Sequence, residues 1–429
     1  MSLTERDRKY IWHPLTQHQT ATTPRGIVSA SGAVLIDERG NELIDGIASW
    51  YTAIYGHCNP AIIESVTRQI QKLDQIVFTG FTHGPAVELA EKLLGILPSN
   101  QAKVFYNDNG STAVEAAIKM ALQYFFNKGE KRQTLVAFEN GFHGDTFGAM
   151  SASGLSVYNG PFEEFFLKVE RIPVPVEDNL DEAAAALESI LHNEPCAAFI
   201  FEPLVQGAAG MKFHSASGLD RLIQICKASG VLCIADEVMT GFGKTGKNFA
   251  VEYLPNKPDI ICLSKALTAG MMPMGVTSCT QAVYDAFLSE DASKGFFHAH
   301  TYSANPPACA AAIAGIELLG SAETQDHIRR INRLHREFSE QLEGNTTVVS
   351  TRVQGVIFAM ELDLKMERYG ELRNQLYQFY LEKGVFLRPL GNTVYVLPPY
   401  VITDQQLKKV YRAIMDSLDF IEQHGERRS

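Results

Sequence analysis

Basic excess, paired cysteines and long apolar runs are all missing from this chain. Acidic side chains outnumber basic ones, 49 to 38, for a formal net charge of −11. A nucleic-acid-binding protein needs a basic footprint, so the charge balance argues against that class. No run of about 18 apolar residues occurs, so no membrane-spanning helix is expected. The start, MSLTERDRKYIWHP, is charged rather than apolar and does not read as a signal peptide. Seven cysteines, at 58, 196, 226, 233, 262, 279 and 309, form no CxxC and no metal-ligand spacing. Their number is odd and several lie in apolar runs, which points to reduced, buried thiols, a cytoplasmic location and no bound metal. Tryptophan is scarce, with only two, and both fall within the first 50 residues. Repeats and low-complexity segments are absent.

What is present centres on residues 229–270. Two short apolar runs, 231–235 and 260–263, end at Asp236-Glu237 and at Ser264-Lys265. Such runs read as buried strands of a parallel sheet. Ligands of open α/β sheets sit beyond the carboxyl ends of the strands, so Asp236 and Lys265 are expected on one rim. Two chemistries fit an Asp and a Lys placed so. One is a structural ion pair. The other is a pyridoxal phosphate site, with Lys265 in a Schiff base and Asp236 facing the pyridinium nitrogen. Gly243-Lys244-Thr245 imitates the end of a phosphate-binding P-loop. That motif needs a glycine five positions before Gly243, and the residue there is Val238.

D-E-V-x-T-G-F-G-K-T-G, then P-D-I, then S-K-A-L closely resembles the signature of the class III aminotransferases. The resemblance covers nearly the whole chain. It implies pyridoxal 5'-phosphate as cofactor and an aspartate aminotransferase-like fold (fold type I). That is an α/β fold with a mainly parallel sheet in a large domain and a smaller α+β C-terminal domain. It also implies a homodimer with shared active sites, acting on small molecules.

The pattern along the chain agrees. Residues 1–55 read as an N-terminal arm and hairpin, with one strand over 28–37, a turn at 38–41 and a returning strand over 42–45. Residues 56–320 alternate helical and strand patterns and read as the large cofactor-binding domain. Strands are expected at 104–106, 135–138, 198–201, 231–235, 260–263 and 276–279, with an amphipathic helix over 111–126. Residues 321–429 read as the small C-terminal domain, with a strand over 353–362.

Other groups fall at turns. Asn109-Gly110-Ser111-Thr112 opens a helix, where free N–H groups suit a phosphate; an ordinary N-cap by Ser111 or Thr112 fits as well. Phe142 follows a strand between glycines and reads as a core residue or a ring-stacking one. Glu202 reads as a carboxylate held by an Arg or Lys, or as a gate. Trp50 either packs the arm or lines an apolar pocket. Arg388 ends an apolar strand and suits a structural salt bridge or a substrate carboxylate.

The resemblance assigns these residues further. It implies Gly110 and Ser111 at the cofactor phosphate and Phe142 and Val238 on opposite faces of the ring. It implies Thr301, within His298-Ala299-His300-Thr301, at the phosphate of the partner subunit, with His300 beside it. I-W-H-P at 11–14, together with Trp50, resembles the subgroup of biotin biosynthesis that aminates 8-amino-7-oxononanoate. Trp50, Phe142, Asp145, Lys265, Ala299, Arg388 and Tyr400 are then the expected substrate-binding residues. Leu15, Phe142 and Tyr51 depart from the members that use S-adenosylmethionine as donor. That donor is the first expectation and lysine the alternative. A general ω-amino acid aminotransferase is a further reading, and a non-catalytic relative a third.

Overall fold

The structure, a computed structural model, describes residues 2–156, 159–368 and 370–425. The chain divides into two compact units. One comprises Met1–Asn59, Arg333–Val353 and Phe358–Ser429; the other comprises Pro60–Asn332 and Gln354–Ile357.

In the first unit, β1 (Ile27–Ser31), β2 (Val34–Asp37) and β3 (Glu42–Asp45) form an antiparallel meander. The single strand expected over 28–37 is therefore two. Gly32 has φ +56°, a left-handed conformation that glycine adopts without steric cost, and it turns the chain between them.

The second unit is built on a seven-stranded sheet. Its strands are β4 (Gln101–Asn107), β5 (Thr134–Phe138), β6 (Val169–Ile172), β7 (Cys196–Phe201), β10 (Leu232–Asp236), β11 (Ile260–Leu263) and β12 (Gly275–Thr280). A two-stranded ribbon, β8 (Val205–Gln206) and β9 (Lys212–Phe213), lies apart from them. The order in the large sheet is β4-β12-β11-β10-β7-β5-β6. Every strand runs parallel except β12, which is antiparallel to both neighbours. Strands β5, β7, β10 and β11 are buried along their whole length, as expected of strands covered on both faces. The helix Gly110–Asn127 packs its Ala113, Val114, Ala117, Ile118 and Ala121 into this core. Edge strand β6, sequence VERI, carries two charges in four residues and has no apolar run to announce it.

The first unit is completed by β15 (Val385–Phe386), β16 (Thr393–Val396) and all of β13 (Val348–Gln354) and β14 (Ile357–Leu362) except their facing ends, Gln354 and Ile357. The strand expected over 353–362 is broken at Gly355, φ +59°, between β13 and β14. Strand β15 joins β3 in parallel. Among the described residues, no helix is long and apolar enough to cross a membrane.

Candidate active site

Strands β10 and β11 are neighbours in parallel register, with Asp236 opposite Cys262. Asp236 therefore closes one strand while Ser264 and Lys265 leave the next at the same end. Ser264 is extended, and its hydroxyl donates to Met274 O at 2.7 Å. Lys265 then turns into the left-handed region, φ +50°. A lysine gains nothing locally from that conformation, and backbone strain of this kind concentrates at functional sites. Burial pushes the Lys265 amine below its usual range; the carboxylates of Asp236 and Glu202 work against the shift.

Asp236 is 4% exposed. Its Oδ1 accepts the Val238 N–H at 3.0 Å, and its Oδ2 lies 2.8 Å from His143 Nδ1. A carboxylate only accepts, so His143 carries its proton on Nδ1. The other ring nitrogen, Nε2, is buried with no hydrogen-bond partner among the described residues. His143 stands 93 residues from Asp236 in sequence, and the sequence offered no reason to join them.

The loop that carries His143 is fixed at several points. Phe142 N–H donates to Glu202 Oε1 at 3.0 Å, and Gly207 N–H donates to Glu202 Oε2 at 2.9 Å. Among the described residues, Glu202 is thus held by two backbone amides and by no Arg or Lys. Burial pushes its carboxyl up to about 7. Gln206 Nε2 donates to Glu139 O at 2.9 Å from the same side. Phe142 itself is 39% exposed, so it is not a core residue.

The glycine nest takes shape around Asn109, which caps its helix in a reciprocal box with Thr112. The helix begins at Gly110, and neither Ser111 nor Thr112 is the capping residue. A Cβ on Gly110 would lie 2.9 Å from Val238 Cγ1 and 3.5 Å from Ser264 Cβ. The nest, Val238 and the residue before Lys265 therefore meet at one point. Ser111 Oγ accepts the Asp145 N–H at 3.2 Å, which leaves its own proton free to donate. Gly144, φ +133°, permits this approach, since a Cβ there would sit 2.2 Å from Ser111 Oγ. Asp145 is exposed.

Further along, His300 Nδ1 lies 3.7 Å from Asp108 Oδ2, one residue before the cap. His298 bridges Lys119 at 3.0 Å and His300 at 3.2 Å; burial holds its ring below the usual histidine range. Ala299 and Thr301 are exposed, and Thr301 O accepts from Gln75 Nε2.

The P-loop imitation is a packed turn. Gly355 lies so close that a Cβ would meet Lys244 O at 2.3 Å, and Val356 N–H donates to that same oxygen at 2.9 Å. Lys244 is fully buried, with its amine on Gly241 O.

In the first unit, Trp50 and Arg388 are brought together. The guanidinium carbon lies 5.2 Å from the indole. Among the described residues no acidic side chain pairs with Arg388, so the salt-bridge alternative is not met. Trp50 sits in an unusual turn. Ala48, Ser49, Trp50 and Tyr51 have φ of +47°, +44°, +66° and +71°, four left-handed residues in succession without a glycine. Each costs about 1–2 kcal/mol relative to a right-handed residue. Tyr51 turns inward onto Tyr395, with ring centroids 5.8 Å apart. Tyr400 is wholly buried, edge-on to Tyr55.

A buried amine, a carboxylate oriented by an imidazole, and a helix start stripped of side-chain bulk suit an aromatic aldehyde bearing a phosphate. The residues of the second unit fit pyridoxal 5'-phosphate: Lys265 toward the carbonyl, Asp236 toward the ring nitrogen, Gly110 and Ser111 toward the phosphate. The chain belongs to the class III aminotransferases, whose family model matches residues 16–418, and is a pyridoxal phosphate-dependent aminotransferase. It is 43% identical to the adenosylmethionine-8-amino-7-oxononanoate aminotransferase of Synechococcus elongatus, over 96% of this chain and 99% of that protein. The crystal structure of the enzyme of that name from Methanocaldococcus jannaschii superposes with a TM-score of 0.91 at 33% identity, covering 96% of this chain and 98% of that one. The ω-transaminase of Pseudomonas jessenii in complex with PMP gives 0.89 at 26% identity, covering 99% of each chain.

Proposed function

We propose that the protein transfers an amino group from S-adenosylmethionine to 8-amino-7-oxononanoate, giving 7,8-diaminononanoate for biotin synthesis. The observation that carries the reading is the Asp236–Lys265 pair on adjacent strand ends, taken with full-length similarity to enzymes named for this reaction. The donor leaves as an oxo compound and the acceptor's carbonyl becomes the new amine.

When bound, pyridoxal 5'-phosphate supplies an electron-accepting ring that stabilises negative charge at the donor carbon. Asp236 would face the ring nitrogen, and His143, donating from Nδ1, would hold that carboxylate in place. Lys265 Nζ, its pKa lowered by burial, would be the base that takes the proton from the donor carbon and the acid that hands it on. Gly110 and Ser111 would hold the phosphate at the helix start. Phe142 and Val238 would flank the ring. Asp145 meets the donor ammonium, and Arg388 takes the acceptor's carboxylate with Trp50 beside it. Ala299 and Tyr400 complete the substrate-binding set. We assign the active form as a cytoplasmic homodimer in which His300 and Thr301 serve the partner's phosphate. The exposure of Phe297 (78%) and Tyr302 (61%), which flank that segment, supports this.

The test is a half-reaction. Protein loaded with pyridoxamine phosphate is mixed with 8-amino-7-oxononanoate and the visible absorbance followed. Return of the pyridoxal-form band supports the reading, and S-adenosylmethionine and lysine are then compared as donors. Return of the band only with succinic semialdehyde or pyruvate overturns the acceptor and favours a general ω-aminotransferase.

A further inference from the structure

The left-handed turn at residues 48–51 has no local reason to exist, yet it is tied down by a single buried side chain. Asp45 is 0% exposed. Its Oδ1 accepts the Ile47 N–H at 3.1 Å. Its Oδ2 accepts the Ser49 hydroxyl at 2.8 Å and faces His57 Nε2 at 2.8 Å. His57 is itself fixed, exchanging both backbone hydrogen bonds with Gly32. Thr52 Oγ1 closes the turn on Ser49 O at 2.9 Å. The outcome of this arrangement is the placement of one residue: Trp50, 42% exposed, against the Arg388 guanidinium.

A guanidinium placed over an indole keeps N–H donors for an anion. Arg388, with no acidic partner among the described residues, is therefore available to a carboxylate. Beside it lies the exposed indole, an apolar surface for the chain that bears the anion. We propose that Asp45, with Ser49 and His57, is a positioning set for substrate specificity. By locking the left-handed turn it holds Trp50 on Arg388 and so keeps that guanidinium aimed at a carboxylate carried on an extended apolar chain. The inference rests on the reading that Arg388 receives the acceptor's carboxylate.

The test uses the full-length holoenzyme in a Trp12→Phe background, where Trp50 is the sole tryptophan. Two variants are made. Asp45→Asn removes the charge that gathers the turn. Ser49→Gly removes the hydroxyl but lets the backbone adopt positive φ freely, so it remains folded if Asp45→Asn does not. Nonanoate serves as a carboxylate probe, titrated through Trp50 fluorescence. KM and kcat are measured for 8-amino-7-oxononanoate and for its methyl ester.

For Asp45→Asn the expected result is about tenfold weaker nonanoate binding, and a KM for the acid raised about tenfold more than kcat is lowered, as for the loss of a charged hydrogen bond. The ester's KM stays level, so the preference for acid over ester collapses. Ser49→Gly shows about a fivefold effect in the same direction. Equal changes for acid and ester, or nonanoate binding that neither variant alters, overturn the proposal. If the wild type ignores 8-amino-7-oxononanoate while Asp45→Asn still weakens nonanoate, the acceptor assignment fails and the positioning role stands.

Discussion

His143 Nδ1 lies 2.8 Å from Asp236 Oδ2, with both side chains buried, and this contact links the loop after β5 to the end of β10. An imidazole N–H fixed on the carboxylate keeps Asp236 pointed in one direction. Replacing His143 by Ala removes a hydrogen bond to a charged group. The expected cost is a ~10–100-fold loss in kcat and weaker cofactor retention, with the fold intact. Spectral titration of the bound cofactor, with equilibrium dialysis, measures both. An unchanged spectrum and unchanged turnover would assign His143 to packing alone.

Lys265→Ala removes the amine proposed to move the proton. Turnover falls to background while the phosphate nest at Gly110 and Ser111 still retains cofactor. Single-turnover absorbance measurements check this. Detectable steady-state turnover in the variant would sink the role given to Lys265.

Glu202 makes stability depend on pH. Its folded carboxyl holds a proton up to about 7, against an ordinary value of 4.5. The folded state therefore binds more protons between those values, and linkage requires this group's contribution to stability to fall as pH rises from about 4.5 to 7. Thermal unfolding of Glu202→Gln across that window should show a shallower decline than the wild type. An identical slope would place the titration elsewhere.

Two glycines with similar backbones should respond differently to alanine. At Gly355, φ +59°, a Cβ would lie 2.3 Å from Lys244 O, so Gly355→Ala combines strain with a backbone clash and should cost about 2–4 kcal/mol. At Gly32, φ +56°, nothing lies within 4 Å, and Gly32→Ala should cost only about 1 kcal/mol. Denaturant unfolding of the two variants compares them; equal losses would show that the clash at Gly355 relaxes.

The centre of the fold was legible because β10 and β11 are apolar runs cut off by charged residues, a pattern that needs no partner to be recognised. The helix start at Gly110 was legible for a similar reason, since a strand, a glycine and an amphipathic helix follow one another directly. What escaped depends on distant contacts. The reversed direction of β12 leaves no mark in its composition. β6 is an edge strand without an apolar run. Gly32 and Gly355 each split a run that alternation alone reads as continuous. His143 acquires its importance only when the sheet brings it to Asp236. The left-handed turn at Trp50 has no glycine to announce it; buried Asp45 upstream holds it in place.

The pairing of β4 with β12 has a consequence for assembly in the cell. Asn107 Nδ2 reaches Thr277 Oγ1 across 170 residues of chain. A ribosome releases the glycine turn at Gly110 long before it releases β12, and only then is the sheet between them complete. Closing so long a loop is slow and entropically costly. A nascent chain halted before Gly275 therefore carries the glycine nest and Lys265 without the strand that joins them. The strands that border the glycine turn are thus translated far apart in time, and the sheet that carries Asp236 and Lys265 is complete only once β12 has been made.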